Sequence, residues 1–323
     1  MTTSTTELTQ ARHAAPPPDF DETSRAISIT AEERWLGIKT KAYFDRTLKR
    51  TTPWLIKNAQ IRILLPTAAP GPREADSLAA PPPPLAPSRV ISTEALEKET
   101  ISPLLGSVMF TFKRIEDKLA DFSGRSYDLF RNIWGINNSY HQWSYEENQH
   151  SDALALILER TGHLSQEVLQ EDYYANLART WEPPFATARQ MVLYAAFQEQ
   201  LTSLNYRALA KRALEEGAPT AADIMTLIAQ DEAYHGGGYR AFSRIYAASD
   251  LEGTIADAVH VGTNFRMPAQ HLMRDQKRNS VEIVRVGAFS KELVSEETIY
   301  RVLKGLGFVP EAEARQAADQ YWK

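Results

Sequence analysis

Apolar positions recur at helical spacing through the middle of the chain. Between residues 92 and 249 they return every three or four positions, which predicts amphipathic helices rather than strands. The pattern forms four long segments and one shorter segment: 92–122, 126–162, 187–216, 220–248 and, between the middle pair, 165–179. The breaks carry glycine or proline, as in DFSGRS, EPP and EGAPT. Long helices joined by tight turns lie antiparallel, so the sequence predicts an all-α four-helix bundle.

Other segments extend this bundle. Residues 1–25 are polar and broken by prolines, which predicts a disordered tail before a single helical domain at 26–323. Within that domain, 30–54 is predicted to be an amphipathic helix. The proline-rich stretch 66–88 is predicted to be a loop without helix or sheet. After residue 250 we expect smaller helices that flank the bundle, with a strand as the alternative for VEIVRVG at 281–287.

The amino-acid composition limits which metal ligands and which classes of partner are possible. The 323 residues include 7 histidines and no cysteine, so a metal would have to be held by His, Asp and Glu, a set that suits iron, manganese or zinc. The net charge of −5 argues against a general nucleic-acid binder. No apolar run reaches the roughly 20 residues of a spanning helix, and the N-terminal residues lack a signal-peptide apolar segment. These features predict a cytoplasmic protein without a membrane span.

Two Glu-x-x-His pairs are the strongest chemical signal. EENQH places Glu147 and His150 three residues apart, and DEAYH does the same for Glu232 and His235. Residues i and i+3 share a helix face, so each pair could offer one metal a carboxylate and an imidazole. A single pair of this kind is usually a surface feature. Two pairs on two long helices indicate a dinuclear site, which also needs one glutamate from each remaining helix.

Helix geometry selects those glutamates. Antiparallel partners lie at one level when they are equally far from their shared turn, because each residue rises about 1.5 Å. With a turn near Gly217, Glu199 lies 18 residues before it and Glu232 lies 15 after it. With a turn near Gly124, Glu147 lies 23 residues after it and Glu99 lies 25 before it. Glu99 is therefore predicted, with Glu97 in reserve, whereas Glu116 would lie too close to that turn.

Five stretches resemble the soluble acyl-acyl-carrier-protein desaturases, which are ferritin-like di-iron carboxylate proteins. EENQH resembles the EENRH motif of that family, and DEAYH resembles DEKRH. FQEQLT, MPAQHLM and ETISP are similar to its QERAT, MPAHLM and EEALP stretches. The resemblance covers roughly residues 90–275. It implies a ferritin-like four-helix bundle with additional flanking helices, and an enzyme that introduces a double bond into an acyl chain on acyl carrier protein.

The resemblance also implies specific roles. It implies two iron ions, O₂ as co-substrate, ferredoxin or a similar electron donor, and a homodimer. Glu147 and Glu232 would bridge the irons, Glu99 and Glu199 would be terminal ligands, and His150 and His235 would complete the set. Asp231 would orient a ligand histidine. Thr202 would lie beside the oxygen site and help to deliver protons, although an ordinary helix threonine bonded to a backbone carbonyl is the alternative.

Some residues depart from the family pattern. Gln149 replaces an arginine, and Ala233 and Tyr234 replace two basic residues. The run Gly236–Gly238 follows His235 directly and costs a helix interior roughly 1 kcal/mol per glycine. These glycines either widen a cavity or let another helix pack closely, and the second explanation is slightly favoured. The departures leave acyl chain length and double-bond position open.

Three other functions use related bundles. A di-iron hydroxylase or N-oxygenase would share the ligands. A ribonucleotide reductase radical subunit would need a tyrosine near the irons, for which Tyr145, Tyr194 and Tyr234 are the candidates, but MPAQHLM and QEQLT argue against it. Ferritin-like storage proteins are much shorter than 323 residues. Thr202 and the chain length favour the desaturase.

Two basic stretches could receive an acidic carrier protein despite the negative net charge. One lies at 39–50 and the other at 274–278, where RDQKR follows MPAQHLM. Attraction between like-charged proteins depends on local complementarity within a Debye length of roughly 8 Å. The second stretch is preferred because of its position.

Overall fold

The computed structural model describes residues 30–43, 54–57, 60–65, 86–179, 181, 185–268 and 275–322. The predicted tail at 1–25 and most of the predicted loop at 66–88 lie outside these residues.

Four long helices form the centre of the fold. They are α2 (Pro103–Phe130), α3 (Trp134–Arg160), α5 (Ala188–Glu215) and α6 (Pro219–Ser249). Helix α2 pairs with α3 and helix α5 pairs with α6, each through a short turn. The crossover between the two hairpins contains α4 (Gln166–Leu177). The prediction of a helical bundle is therefore confirmed.

Local sequence signals fix where these helices begin. The Ser102 hydroxyl accepts a hydrogen bond from the Leu105 N–H at 3.2 Å, with Pro103 in the first turn of α2. Thr187 caps α5 in the same way through the Gln190 N–H. Between α5 and α6, Gly217 has a φ of 80°, the left-handed conformation that ends many helices.

Shorter elements surround the bundle. Helix α1 (Ala31–Tyr43) packs on α3. The C-terminal part contains α7 (Leu251–Thr263), α8 (Gln276–Arg285), α9 (Lys291–Val294), α10 (Arg301–Leu306) and α11 (Glu311–Gln320), and a π-helical turn, Ser295–Tyr300, joins α9 to α10. These are the flanking helices that the sequence predicts. Among the described residues, no helix is long and apolar enough to cross a membrane.

A small sheet is the main departure from an all-helical chain. Strands β1 (Trp54–Lys57), β2 (Gln60–Leu65) and β3 (Ala86–Ser92) form an antiparallel sheet in that order, and a 3₁₀ helix, Thr93–Lys98, follows. The expectation that 66–88 contains no strand is wrong for its last three residues. Pro87 is tolerated because β3 is an edge strand of this sheet.

Two further boundaries differ from prediction. Helix α2 continues through Gly124 and ends at Phe130, so the turn to α3 lies at 131–133 rather than at 121–126. The stretch 281–287 contains no strand, because α8 covers it as far as Arg285. The shifted α2–α3 turn changes which α2 residue lies opposite Glu147.

Candidate metal centre

Helices α2, α3, α5 and α6 bring buried carboxylates and imidazoles together inside the bundle. Glu147 and His150 come from α3, Glu232 and His235 from α6, Glu199 from α5 and Glu116 from α2. All six residues are buried. The predicted ligands Glu147, His150, Glu199, Glu232 and His235 are thus brought to one place.

The six residues form two overlapping groups of four. The first contains Glu116, Glu147, His150 and Glu232, and the second contains Glu147, Glu199, Glu232 and His235. Within each group one candidate ligand atom per residue lies within 4.8 Å of the others. Glu147 and Glu232 belong to both groups, which is the arrangement expected of carboxylates that bridge two metal ions.

The position of Glu99 corrects the sequence prediction. Its two carboxylate oxygens accept hydrogen bonds from the N–H groups of Thr220 and Ala221, at 2.7 and 3.1 Å. Glu99 therefore caps the start of α6 and takes no part in either group. Glu116 supplies the α2 carboxylate instead.

Glu99 was predicted because the α2–α3 turn was expected near Gly124. With the turn at its true position, Glu116 is the α2 glutamate at the same height as Glu147. Measured from Asn132, in the middle of the true turn, Glu116 lies 16 residues before and Glu147 lies 15 after. Residues at these distances from a shared turn have nearly the same height in an antiparallel pair.

The two imidazoles present Nδ1 to the cluster. His150 Nδ1 lies 3.2 Å from oxygens of both Glu147 and Glu232. His235 Nδ1 lies 3.4 Å from Glu147 and 3.5 Å from Glu199. The opposite ring nitrogen of each histidine faces a second carboxylate, which fixes the ring orientation.

Asp231 and Glu146 are those second carboxylates. Asp231 Oδ2 lies 3.4 Å from His150 Nε2, the position that the resemblance implies for it. Glu146 Oε2 lies 2.6 Å from His235 Nε2. Glu146 was not predicted from the sequence, although a signal was present: it precedes Glu147 just as Asp231 precedes Glu232.

The pKa values of three carboxyl groups in the cluster are shifted in opposite directions. Burial, reinforced by the charge of Glu147, raises the pKa of both Glu116 and Glu232 well above the usual value. Burial would also raise the pKa of Glu147, but the charge on His150, its hydrogen bond to Glu147 and the charge on His235 hold it far below the usual range. Despite burial, neighbouring carboxylates raise the pKa of His150 and His235. The crowding of buried carboxylates therefore favours a bound proton or cation at the cluster.

The donor set fits a pair of iron ions. Several buried ligand atoms have no hydrogen-bond partner among the described residues, including Glu116 Oε2, Glu147 Oε1, Glu199 Oε2, both oxygens of Glu232 and His235 Nδ1. Unpaired buried polar atoms of this kind each cost roughly 1–3 kcal/mol unless a ligand or ion satisfies them. Four carboxylates and two imidazoles match the oxygen and nitrogen ligands that iron accepts.

Two aromatic residues also contact the carboxylates, and both were missed from the sequence. Trp143 donates its indole N–H to Glu199 Oε1 at 2.8 Å. The Tyr206 hydroxyl donates to Glu116 Oε1. Each lies on the face of its helix that carries a ligand, four residues before Glu147 and seven after Glu199. Tyr206 was not among the tyrosines considered from the sequence, yet its hydroxyl bonds to Glu116.

Thr202 is buried on α5, and its hydroxyl donates to the Gln198 carbonyl oxygen at 2.8 Å. This is the backbone-bonded alternative for a helix threonine. A hydroxyl that donates to a carbonyl keeps its oxygen available as an acceptor.

The glycine run on α6 has two separate consequences. A Cβ on Gly236 would lie 3.3 Å from Glu199 Cβ, so this glycine lets α6 approach α5 closely beside the cluster. Gly238 instead lines a cleft of about 290 Å³ between α3 and α6. Close packing of α6 on α5 therefore accounts for Gly236, whereas Gly238 borders a cleft.

A larger, mostly apolar cavity lies between α2, α5 and α8. Together with the space at its opening to solvent it measures about 470 Å³, and its lining includes Phe112, Ile115, Ile283 and Phe289. The Phe112 ring packs on Tyr206 with centroids 5.5 Å apart, and Tyr206 bonds to Glu116. The cavity therefore adjoins the cluster through these two rings.

Residues 119–299, more than half of the chain, match a protein family described as fatty acid desaturase. The chain belongs to this family. The matched region contains Glu147, His150, Glu199, Glu232 and His235, whereas Glu116 lies three residues before it. The resemblance that the motifs suggested is confirmed.

Individual desaturases match over shorter regions. The stearoyl-[acyl-carrier-protein] 9-desaturases of Helianthus annuus and Ricinus communis are each 28% identical over 141 residues, which is 43% of this chain and 35% of theirs. The palmitoyl-[acyl-carrier-protein] 4-desaturase 3 of Ophrys sphegodes is 27% identical over the same shares. All three are named as chloroplastic. The matched region thus spans about a third of the length of these relatives.

The fold also has a solved counterpart. DesA2 from Mycobacterium tuberculosis H37Rv, a candidate acyl-ACP desaturase, superimposes with a TM-score of 0.60 over 89% of this chain and 99% of its own. Sequence identity is 17%, so this likeness establishes the fold alone.

Proposed function

We propose that this chain is an O₂-dependent di-iron desaturase that introduces a double bond into an acyl chain carried on acyl carrier protein. The observation that carries the proposal is the pair of buried four-residue groups that share Glu147 and Glu232, in a chain that belongs to the fatty acid desaturase family. The acyl-carrier-protein relatives support the carrier-linked substrate.

The proposed ligands have distinct tasks. Glu147 and Glu232 would bridge two irons, Glu116 and Glu199 would each hold one iron, and the histidines would bind through Nδ1. When bound, two ferrous ions supply electrons that activate O₂ for the removal of hydrogen from an unactivated methylene.

The remaining residues orient these ligands and keep water away. Asp231 and Glu146 hold the histidine rings through Nε2, and Trp143 holds Glu199 through one oxygen. Tyr206 restrains Glu116 in the same way. In both histidines these contacts use Nε2, whereas Nδ1 faces the cluster.

The apolar cavity beside Phe112 suits an acyl chain. Its lining combines apolar side chains with a few polar ones, as is typical of small-molecule sites. Ile115, Ile283 and Phe289 offer apolar surface along it. We propose that the chain lies there, with the Phe112 and Tyr206 rings between cavity and carboxylates.

The decisive experiment is product analysis. Iron-loaded protein would be incubated with stearoyl and palmitoyl acyl carrier protein, reduced ferredoxin and O₂, and the fatty acids would then be analysed by mass spectrometry. A new double bond is expected. A hydroxylated chain would favour the hydroxylase alternative, and an unchanged chain with all substrates would contradict the proposal.

We also propose a homodimer and a cytoplasmic location. Size-exclusion chromatography of the same protein would test the homodimer, and fractionation of the source cells would test the location.

Replacing Thr202 by valine tests its proposed role in oxygen chemistry. The change preserves the shape of the side chain but removes the hydroxyl, so iron content should not change. If Thr202 helps to transfer protons, product formed per O₂ consumed should fall about tenfold or more, since positioned proton-transfer groups typically contribute at least about 100-fold. Unchanged turnover and coupling would leave Thr202 as a structural residue.

Helix α8 is the proposed carrier surface. Lys277 and Arg285 are exposed on it, together with Val281 and Val284, which are 58% and 53% exposed. The Arg278 guanidinium lies 3.0 Å from Glu282, so part of its charge is already neutralised. Gln276, Asn279 and Ile283 on the same helix line the apolar cavity. A carrier bound on α8 would therefore lie at the mouth of the proposed acyl site.

Charge reversal on α8 tests this surface. The variant Lys277→Glu/Arg285→Glu should raise the KM for the carrier-linked substrate about tenfold at low salt, because like charges would then face an acidic carrier. The effect should shrink as salt screens it. Lys291→Glu/Arg301→Glu, exposed residues outside α8, is the matched control. Equal KM shifts in both variants would mean that the carrier binds elsewhere.

The other basic candidates from the sequence offer less to the carrier surface. Arg274, Arg46, Lys49 and Arg50 lie outside the described residues, and Lys39 and Lys41 lie over the rings of Trp35 and Trp134.

A further inference from the structure

The cleft between α3 and α6 ends on the outer side of the cluster. Its lining consists of Ser139, Gln142, Trp143, Glu146, Tyr234, His235, Gly238 and Tyr239. Ser139, Gln142 and Tyr234 are half-buried, whereas Trp143, Glu146 and His235 are buried. The described residues of the lining therefore lead from partly exposed side chains to His235, a proposed iron ligand.

The inner end of this cleft favours a cation. Glu146 presents a carboxylate there, held by Gln142 Nε2 at 2.9 Å and by His235 Nε2 at 2.6 Å. The buried hydroxyl of Tyr239 has no hydrogen-bond partner among the described residues, so its oxygen is available to the water shell of an ion. Low-dielectric walls around a carboxylate concentrate negative potential and attract cations.

Gly238 forms part of the cleft wall. Each interior glycine costs a helix roughly 1 kcal/mol relative to alanine, so three in succession need a reason. Gly236 has one in its close approach to Glu199. Gly238 lines the cleft, where it contributes no side chain to fill the space. A Cβ on Gly237 would meet nothing within 4 Å.

We propose that this cleft is the route by which divalent transition-metal ions reach the dinuclear site, with Glu146 as the carboxylate that first receives them and Gly238 as the residue that keeps the passage open. The inference rests on the proposed function, because the route needs the site as its destination. It adds a loading path that uses residues outside the ligand set.

Cobalt uptake tests the route without any catalytic assay. Metal-free protein would be mixed with Co²⁺, and the growth of cobalt absorbance would be followed to completion. Gly238→Leu should slow uptake at least tenfold, while the final number of bound ions stays equal to that of the wild type. Gly237→Leu is the matched control, since it makes the same change in helix propensity beside the cleft, and it should load at the wild-type rate.

Charge at the mouth supplies an independent test that does not depend on the Gly238 variant folding. Ser139→Asp should accelerate uptake several-fold at low salt and Ser139→Lys should slow it, with both differences reduced at high salt.

The outcomes separate the route from the site. Wild-type rates in Gly238→Leu and in both Ser139 variants would overturn the route while leaving the dinuclear site standing. Loss of bound cobalt in Gly238→Leu would also overturn it, since the glycine would then shape the site itself. A wild-type protein that binds no cobalt would overturn the site, and the route with it.

Discussion

Replacing Glu232 by alanine is expected to leave the protein without a dinuclear centre. Glu232 belongs to both groups of ligands, so its loss removes one donor from each metal position. Removal of a residue that merely orients a metal ligand typically costs 10–100-fold in metal affinity, and loss of a shared ligand should cost more than about 100-fold at each position. Iron analysis after dialysis would measure the effect, with Glu215→Ala on the exposed side of α5 as control.

A second measurement separates metal loss from unfolding. Both Glu232 oxygens are buried without a hydrogen-bond partner among the described residues, and burial raises the pKa of this carboxyl. The near-isosteric variant Glu232→Gln should therefore melt no lower than wild type when both are metal-free, yet should gain less stability when iron is added. Two tightly held irons in the double variant Glu147→Ala/Glu232→Ala would contradict the assignment of bridges.

The second large expected effect is a difference in iron content between the variants Glu116→Ala and Glu99→Ala. Glu116→Ala should lose the iron of the group that contains His150, because it removes the only α2 carboxylate in that group. Glu99→Ala should retain both irons but lose about 1 kcal/mol of stability, the usual value for a helix N-cap, since Thr220 and Ala221 lose their acceptor.

Iron content and thermal denaturation of the two variants give opposite patterns. If Glu99→Ala lost iron and Glu116→Ala retained it, the ligand would have to return to the residue selected from the sequence. Tyr206→Phe provides a further control, because it removes the hydrogen bond to Glu116 without removing a ligand. Its iron content should remain close to that of wild type.

The difference between the two hairpins shows what the sequence could predict. The α5–α6 hairpin was placed correctly because Gly217 adopts the left-handed conformation that ends a helix. Gly124 is also a glycine, but it lies inside α2, where a Cβ would meet no atom within 4 Å. The true α2–α3 turn, Arg-Asn-Ile at 131–133, contains neither glycine nor proline, so neither of the two strongest turn signals marked it.

The long-range contacts could not be predicted from the sequence, and the reason is physical. Glu99 contacts residues 121 and 122 positions away, and Tyr206 contacts Glu116 from a different hairpin. Helical periodicity shows which residues share a face, but it does not show which helices become neighbours. By contrast, Glu146 could have been found, since its position relative to Glu147 repeats that of Asp231 relative to Glu232.

The distribution of the six ligands between the hairpins has a consequence for folding. Each hairpin carries three ligands, but each metal group takes three residues from one hairpin and a fourth, a bridge, from the other. Each helix can form within its own hairpin through local contacts, whereas a metal position is complete only after the hairpins dock. The binding energy of the proposed metal ions would therefore act on docking rather than on helix formation. Removing the ions should increase hydrogen exchange at the interface between α3 and α6 well before the helices themselves melt.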